Sequence, residues 1–214
     1  MIKAAIFDLD GTLMDSEVLW VEAVERYLND HGHAIGHEEA LSIVYGRSWR
    51  DVYDSMMACH PELDETIEEM EVSLRVHLLD LQSGLDIVIS ESVELLRRLA
   101  KRIPVCIVSG STRTDIEMAI DLMGIGDVLA FFIGAEDYGS GKPDPICFLM
   151  AAKQFDIAPE HCVVFEDSTA GVLGAKAAGM HCVALSRPGL PKQDVSVADC
   201  VVADLGGFDL SHLG

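Results

Sequence analysis

FDLDGTLMDSE, residues 7–17, ends an apolar run, sets two carboxylates two positions apart and turns at once on a glycine. The run over residues 3–7 is short and nearly continuous, which predicts a strand buried on both faces of a parallel sheet. It stops at Asp8. From Glu17 to about His31 the period changes, and Trp20, Val24, Tyr27 and Leu28 recur at helical spacing with charges between them. EEALSIVYGRSWRDVYDSMM (38–57) and DETIEEMEVSLRVHLLDLQ (64–82) continue helically, the second with Ile67, Met70, Leu74, Leu78 and Leu81 on one face. Residues 17 to about 82 therefore read as helices without a strand.

After Gly84 short apolar runs alternate with helical patterns. PVCIVS (104–109), AFFIGA (130–135), CVVFED (162–167), HCVALS (181–186) and ADCVVADL (198–205) read as strands. Helices are expected around Leu96–Ile103, around Ile116–Met123 with Gly124 as a left-handed stop, over DPICFLMAAKQF (144–155) and over TAGVLGAKAAG (169–179). Such alternation predicts an α/β fold with a doubly wound, Rossmann-like parallel sheet. The first strand belongs to that sheet but is separated from it by the helical block. The expected organisation is a core of residues 1–15 and 84–214 with an all-helical cap, 16–83, inserted after the first strand.

Composition narrows the function. The 214 residues are 50% hydrophobic, enough for a sizeable core, and 36 acidic against 15 basic residues give a net charge of -21. Such a surface repels nucleic-acid backbones and anionic lipid headgroups, so neither partner is expected. The six cysteines form no CxxC pair and read as reduced thiols of a cytoplasmic protein. The N-terminus lacks a secretory pattern, and no apolar run approaches the length of a membrane span. The eight histidines show no HxxxH spacing and read as surface or core residues.

In open α/β sheets ligands bind beyond the carboxyl ends of the strands. Strand one ends in Asp8-Leu9-Asp10, PVCIV in Ser109-Gly110-Ser111 and CVVF in Glu166-Asp167, while Lys142 opens the Pro-rich start of a helix. Asp8 and Asp10 would repel unless a cation sits between them. With Asp167 and Glu166 they offer an all-oxygen site of the kind Mg²⁺ prefers. A carboxylate beside a metal-polarised phosphate can attack it, and a second acid two residues on can protonate the leaving oxygen and then activate water. Ser109 and the amides of Gly110 and Ser111 can bind phosphate oxygens, and Lys142 can neutralise them.

DLDGTLMDSE, VSGS, GKPDP and FEDSTAGVLGAKAAGM, in this order and spacing, resemble the haloacid dehalogenase-like phosphotransferases. The resemblance covers essentially the whole chain. Its subgroup with a helical cap includes β-phosphoglucomutase and small sugar-phosphate phosphatases. The resemblance implies Asp8 as nucleophile, Asp10 as acid/base, and Ser109 and Lys142 as phosphate binders. It implies Mg²⁺ held by Asp8, the Asp10 carbonyl and Asp167, with Glu166 assisting, and hinges at Met14–Ser16 and near Gly84. SESVE (90–94) stands where many relatives carry Pro-Gly. Arg47, Arg50, Ser111 and Arg113 are the candidate substrate contacts.

The expected activity is removal of phosphate from a small phosphorylated metabolite, a sugar phosphate by the resemblance, by a monomer or weak dimer. The enzymatic alternative is a sugar phosphomutase; aligned on Gly46, its phosphate-gripping arginine falls on Trp49 here. A non-enzymatic phospho-receiver would share the acids, the hydroxyl and the lysine but needs neither the helical insertion nor a second aspartate.

Overall fold

Ala4–Phe7 form β1, all four fully buried, as a strand covered on both faces requires. β2 (Val105–Val108) and β4 (Cys162–Glu166) flank it in parallel, with Ile6 opposite both Cys106 and Val164. β3 (Phe131–Ile133) adds outside β2, and β5 (His181–Leu185) and β6 (Cys200–Val202) add outside β4. The order β3-β2-β1-β4-β5-β6 is doubly wound. The chain leaves β1 toward one edge and returns on its other side, so the crevice next to β1 is the topological switch point. Phe7 and Phe165 are register partners whose rings stack at 4.5 Å, a contact of about 0.5–1.5 kcal/mol beyond the area it buries.

The computed structural model describes residues 1–45, 47, 49–82, 87–188 and 190–213. It divides into two compact units, Met1–Met14 with Val88–Gly214, and Asp15–Ile87. The first holds the sheet and helices α5 (Ser90–Ala100), α6 (Arg113–Met123), α7 (Ile146–Phe155) and α8 (Thr169–Ala177). Its apolar core includes Ile6, Val108, Phe148, Val164 and Val172. Gly124 ends α6 at φ 59°, the left-handed stop read from the sequence.

The second unit contains α1 (Ser16–Asp30), α2 (His37–Val44), α3 (Trp49–Cys59) and α4 (Ile67–Gln82). Val24, Tyr27 and Leu28 of α1 are buried, as are Met70, Leu74, Leu78 and Leu81 of α4, so the helical faces read from the period are the packed ones. The single helical pattern expected over 38–57 is two helices, because Tyr45 leaves α2 in extended geometry. Ser90–Glu94 form the first turn and a half of α5. Val88 bridges Met14, and the Ile89 amide donates to the Leu13 carbonyl. Gly46, Gly84 and the expected boundary at 83/84 lie outside the described residues. No described helix is long and apolar enough to cross a membrane.

Candidate active site

The buried polar side chains of the described residues are Asp8, Thr12, Ser92, Ser109, Glu166 and Asp167, and all but Ser92 stand at the carboxyl ends of β1, β2 and β4. Burying an ionised group costs far more than burying a methyl, so such a cluster persists only with partners. The partners start with Asp8, whose amide donates to the Phe165 carbonyl at 2.9 Å and so extends the β1–β4 ladder by one residue. The chain then coils, with the Thr12, Leu13 and Met14 amides converging on the Leu9 carbonyl. This coil places Asp10 beside the β2 end: its Oδ2 accepts from Ser111 Oγ at 2.6 Å and Ser109 Oγ at 3.2 Å.

Lys142 spends its ammonium protons on Asp8 Oδ1, Glu166 Oε1 at 2.7 Å and the Val108 carbonyl at 3.2 Å. The Lys142–Pro143 bond is cis. Burial alone would lower the lysine's pKa, but the Asp8 and Glu166 carboxylates override it and hold it well above its ordinary value. Burial pushes the Asp8 carboxyl well up, against the pull of Lys142 and with the help of the Glu166 and Asp10 charges.

Glu166 is saturated differently from the other acids. Its Oε1 takes Lys142, and its Oε2 accepts from the Asp167 amide, the Ser168 amide and Ser168 Oγ, each at 2.9 Å. Four donors leave Glu166 suited to anchoring Lys142, whereas Asp167 has Thr12 Oγ1 on its Oδ1 at 3.3 Å. Carboxylate oxygens of Asp8, Glu166 and Asp167 lie within 4.8 Å of one another. Three buried carboxylates thus gather their oxygens at one point beside a single lysine, an arrangement that a divalent cation would stabilise. The donors are all oxygen, so the residues fit Mg²⁺.

Several contributors escaped the sequence analysis. Thr12 and Ser168 hold the acids, and Tyr138, its phenol pushed up to about 12 by burial, donates to the Ser109 carbonyl at 2.9 Å. Two glycines matter more. Gly11 has φ +80°, and a Cβ there would lie 2.1 Å from Asp167 Oδ2; a Cβ on Gly171 would lie 1.7 Å from Glu166 Oε1. Their only sequence signal was a glycine next to an acid motif, which does not say what approaches it.

The turn after β2 was expected to bind phosphate oxygens. The Ser111 amide donates to Ser109 Oγ at 2.9 Å, and α6 starts two residues later, capped by Thr112. Gly110 is exposed. Arg113 pairs with Asp137 at 2.7 Å and lies over the Phe132 ring. In the helical unit Arg47 donates to Ser55 Oγ at 2.8 Å, Arg50 is exposed, and Trp49 packs its ring 5.5 Å from that of Trp20.

The doubly wound sheet with this strand-end constellation has a family. Residues 2–179 match the model of the haloacid dehalogenase-like hydrolases, and the chain belongs to that family. It is 31% identical to validoxylamine A 7'-phosphate phosphatase of Streptomyces hygroscopicus subsp. limoneus, over 100% of this chain and 99% of that one. Hexitol phosphatase A of Escherichia coli K12 is 32% identical over 87% of this chain and 84% of its own. The crystal structure of β-phosphoglucomutase from Clostridium difficile shares the fold, with a TM-score of 0.81 at 23% identity over 100% of this chain and 96% of that one.

Proposed function

We propose that the chain is a cytoplasmic, Mg²⁺-dependent phosphohydrolase that removes phosphate from a small phosphorylated sugar or polyol through an aspartyl-phosphate on Asp8. The observation that carries this is the gathering of carboxylate oxygens of Asp8, Glu166 and Asp167 within 4.8 Å of one another beside Lys142. A divalent cation bound by Asp8, Asp167 and the Asp10 carbonyl supplies charge neutralisation of the phosphate oxygens and keeps Asp8 ionised. Asp8 then attacks phosphorus and displaces the alcohol. Asp10, steered by the two serine hydroxyls, protonates the leaving oxygen and later takes a proton from the water that frees the enzyme. Lys142, fixed by Glu166, holds the transferring phosphoryl group against Asp8, with Ser109 and the Gly110 amide on its other oxygens.

Residues 1–15 and 84–214 act as the catalytic core and 16–83 as the cap that chooses substrate, with Arg47 and Arg50 as its candidate contacts and Ser111 and Arg113 as those of the core. Phosphatase is favoured over mutase because the two relatives above, each more than 30% identical, are among several named phosphatases. The mutase's phosphate-gripping position also carries Trp49, which packs on Trp20.

The test is a screen of sugar and polyol phosphates for phosphate release with Mg²⁺ and with EDTA, including β-glucose 1-phosphate primed with the bisphosphate. Release that EDTA abolishes and Mg²⁺ restores is expected. Full activity in EDTA, or accumulation of the isomerised ester with little free phosphate, would overturn the proposal.

A further inference from the structure

Two histidines 27 positions apart meet in the helical unit. α1 closes with the Gly32 amide on the Asn29 carbonyl and the His33 amide on the Leu28 carbonyl, Gly32 taking φ 86°, which is the Schellman pattern. That closure fixes His33 one residue past the turn. His60 is fixed as firmly: its amide donates to the Met56 carbonyl at the end of α3, and its carbonyl accepts from Leu63 across the 3₁₀ turn Pro61–Leu63. The imidazole rings lie 4.4 Å apart, and Glu62 brings Oε1 to 3.4 Å from His33 Nδ1. His60 Nε2 is a buried ring nitrogen with no protein hydrogen-bond partner.

We propose that His33, His60 and Glu62 form a binding site for a borderline transition-metal dication, with Zn²⁺ as its ligand of reference, separate from the all-oxygen site at the strand ends. One ligand atom from each residue lies within 4.8 Å of the others. Tetrahedral ligands at about 2.1 Å from a metal stand about 3.4 Å from one another, so the His33–Glu62 edge already has that length, and a ring nitrogen of His60 lies within 4.8 Å of both. Two neutral imidazoles and one carboxylate select for zinc-like ions over Mg²⁺, which takes oxygen. With Nε2 as the His60 ligand atom, the metal also gives that orphaned nitrogen its partner, and three protein ligands leave a fourth position to water or an anion. The simpler alternative is a pairing of His33 with Glu62 alone. That pairing leaves His60 Nε2 unsatisfied, which is why the three residues together favour the ion. Bound there, the ion ties the end of α1 to the loop after α3 and stabilises the helical unit by mass action.

Untagged full-length protein in saturating Mg²⁺ is titrated with Zn²⁺ calorimetrically, and with Co²⁺ for the intense visible bands of a four-coordinate ion. One equivalent is expected to bind and raise the melting temperature. His33→Gln, His60→Gln and Glu62→Gln should each weaken it, the histidine changes by at least about 100-fold, since lost ligands cost more than the outer-shell partners that already cost 10–100-fold. Asp8→Asn should bind Zn²⁺ as the wild type does. If His60→Gln misfolds by circular dichroism, the exposed Glu62→Gln gives the same reading. Unchanged Zn²⁺ affinity in His33→Gln and Glu62→Gln, loss of binding in Asp8→Asn, or no binding by the wild type overturns the site.

Discussion

In the sheet-centred unit, Asp8, Thr12, Ser109, Glu166 and Asp167 are buried beside a lysine, whereas the residues buried as a whole in the helical unit, among those described, are apolar apart from the phenol of Tyr27. Charge in the helical unit is kept at the surface, as in the Arg26 pairs with Glu22 and Asp80 and the Arg75 pair with Glu71. The physical consequence is a difference in freedom. A buried charged cluster tolerates no single change, because each member satisfies another. An apolar helical core asks only for volume and period, and exposed pairs contribute about 0–1 kcal/mol each. One unit is therefore held to its polar cluster, and the other is free to vary its surface.

The largest expected effect tests the first half of that contrast. Asp8→Asn removes the proposed nucleophile and a ligand while keeping shape, so phosphate release should fall below detection. Near wild-type turnover in a clean preparation would break the contrast at its centre. Asp10→Asn should reduce the rate by about 10²–10⁴, the usual worth of a general acid/base, with Mg²⁺ affinity little changed because the proposed ligand there is the carbonyl. If both variants lost the same activity, the division of roles between the two aspartates would be wrong.

Next comes the helical unit. Leu74 on α4 is fully buried, and Leu74→Ala should lower stability by about 2–5 kcal/mol through lost transfer energy and a cavity. Activity per folded molecule should stay nearly constant. Denaturant unfolding read beside kcat separates the two effects, and a kcat loss matching that of Asp10→Asn would erase the distinction between the units.

What could be read in the sequence and what could not follows the same line. β1, β2, β4 and β5 announced themselves because strands buried on both faces must be mostly apolar, and the acids at the ends of β1 and β4 stood out against those runs. α1 and α4 were legible because an amphipathic face is a local pattern. Contacts between distant parts were not. Thr12 meets Asp167 across 155 positions, and His33 meets His60 through two helix ends, so no spacing rule reveals either. The role of Gly171 depends on where the Glu166 side chain lies, which the chain does not spell out. The break after Val44 was hidden because helical periods on either side happen to continue one another.

Gly171→Ala sharpens the comparison with a single methyl. Its Cβ would overlap Glu166 Oε1, so the carboxylate must leave Lys142 or the Asp167 and Ser168 amides. Overpacking of this kind costs about 1–3 kcal/mol. Because the displaced group anchors Lys142, kcat/KM should fall along with the melting temperature. Retention of both would mean that Glu166 has room the geometry denies it.

The smallest effect is expected at Arg113, which lies in the sheet-centred unit yet behaves like the surface charges of the other. It is about half exposed, pairs with Asp137 at 2.7 Å, and covers Phe132 with its guanidinium 4.6 Å from the ring centre. An exposed ion pair contributes about 0–1 kcal/mol, and a cation over an aromatic ring at an exposed site about 0.5–1 kcal/mol. Arg113→Gln should therefore cost no more than about 1–2 kcal/mol, and the loss should shrink in salt, which screens the pair but not the packing. If Arg113 only braces the start of α6, KM and kcat stay at their wild-type values for every phosphate ester turned over. If it grips substrate, KM rises while kcat holds, because an interaction equally strong in ground and transition states affects binding alone. Asp137→Asn separates the two: it breaks the ion pair and leaves the arginine in place, so a KM increase in Arg113→Gln that is absent from Asp137→Asn assigns the guanidinium to the substrate, and silence in both assigns it to the fold.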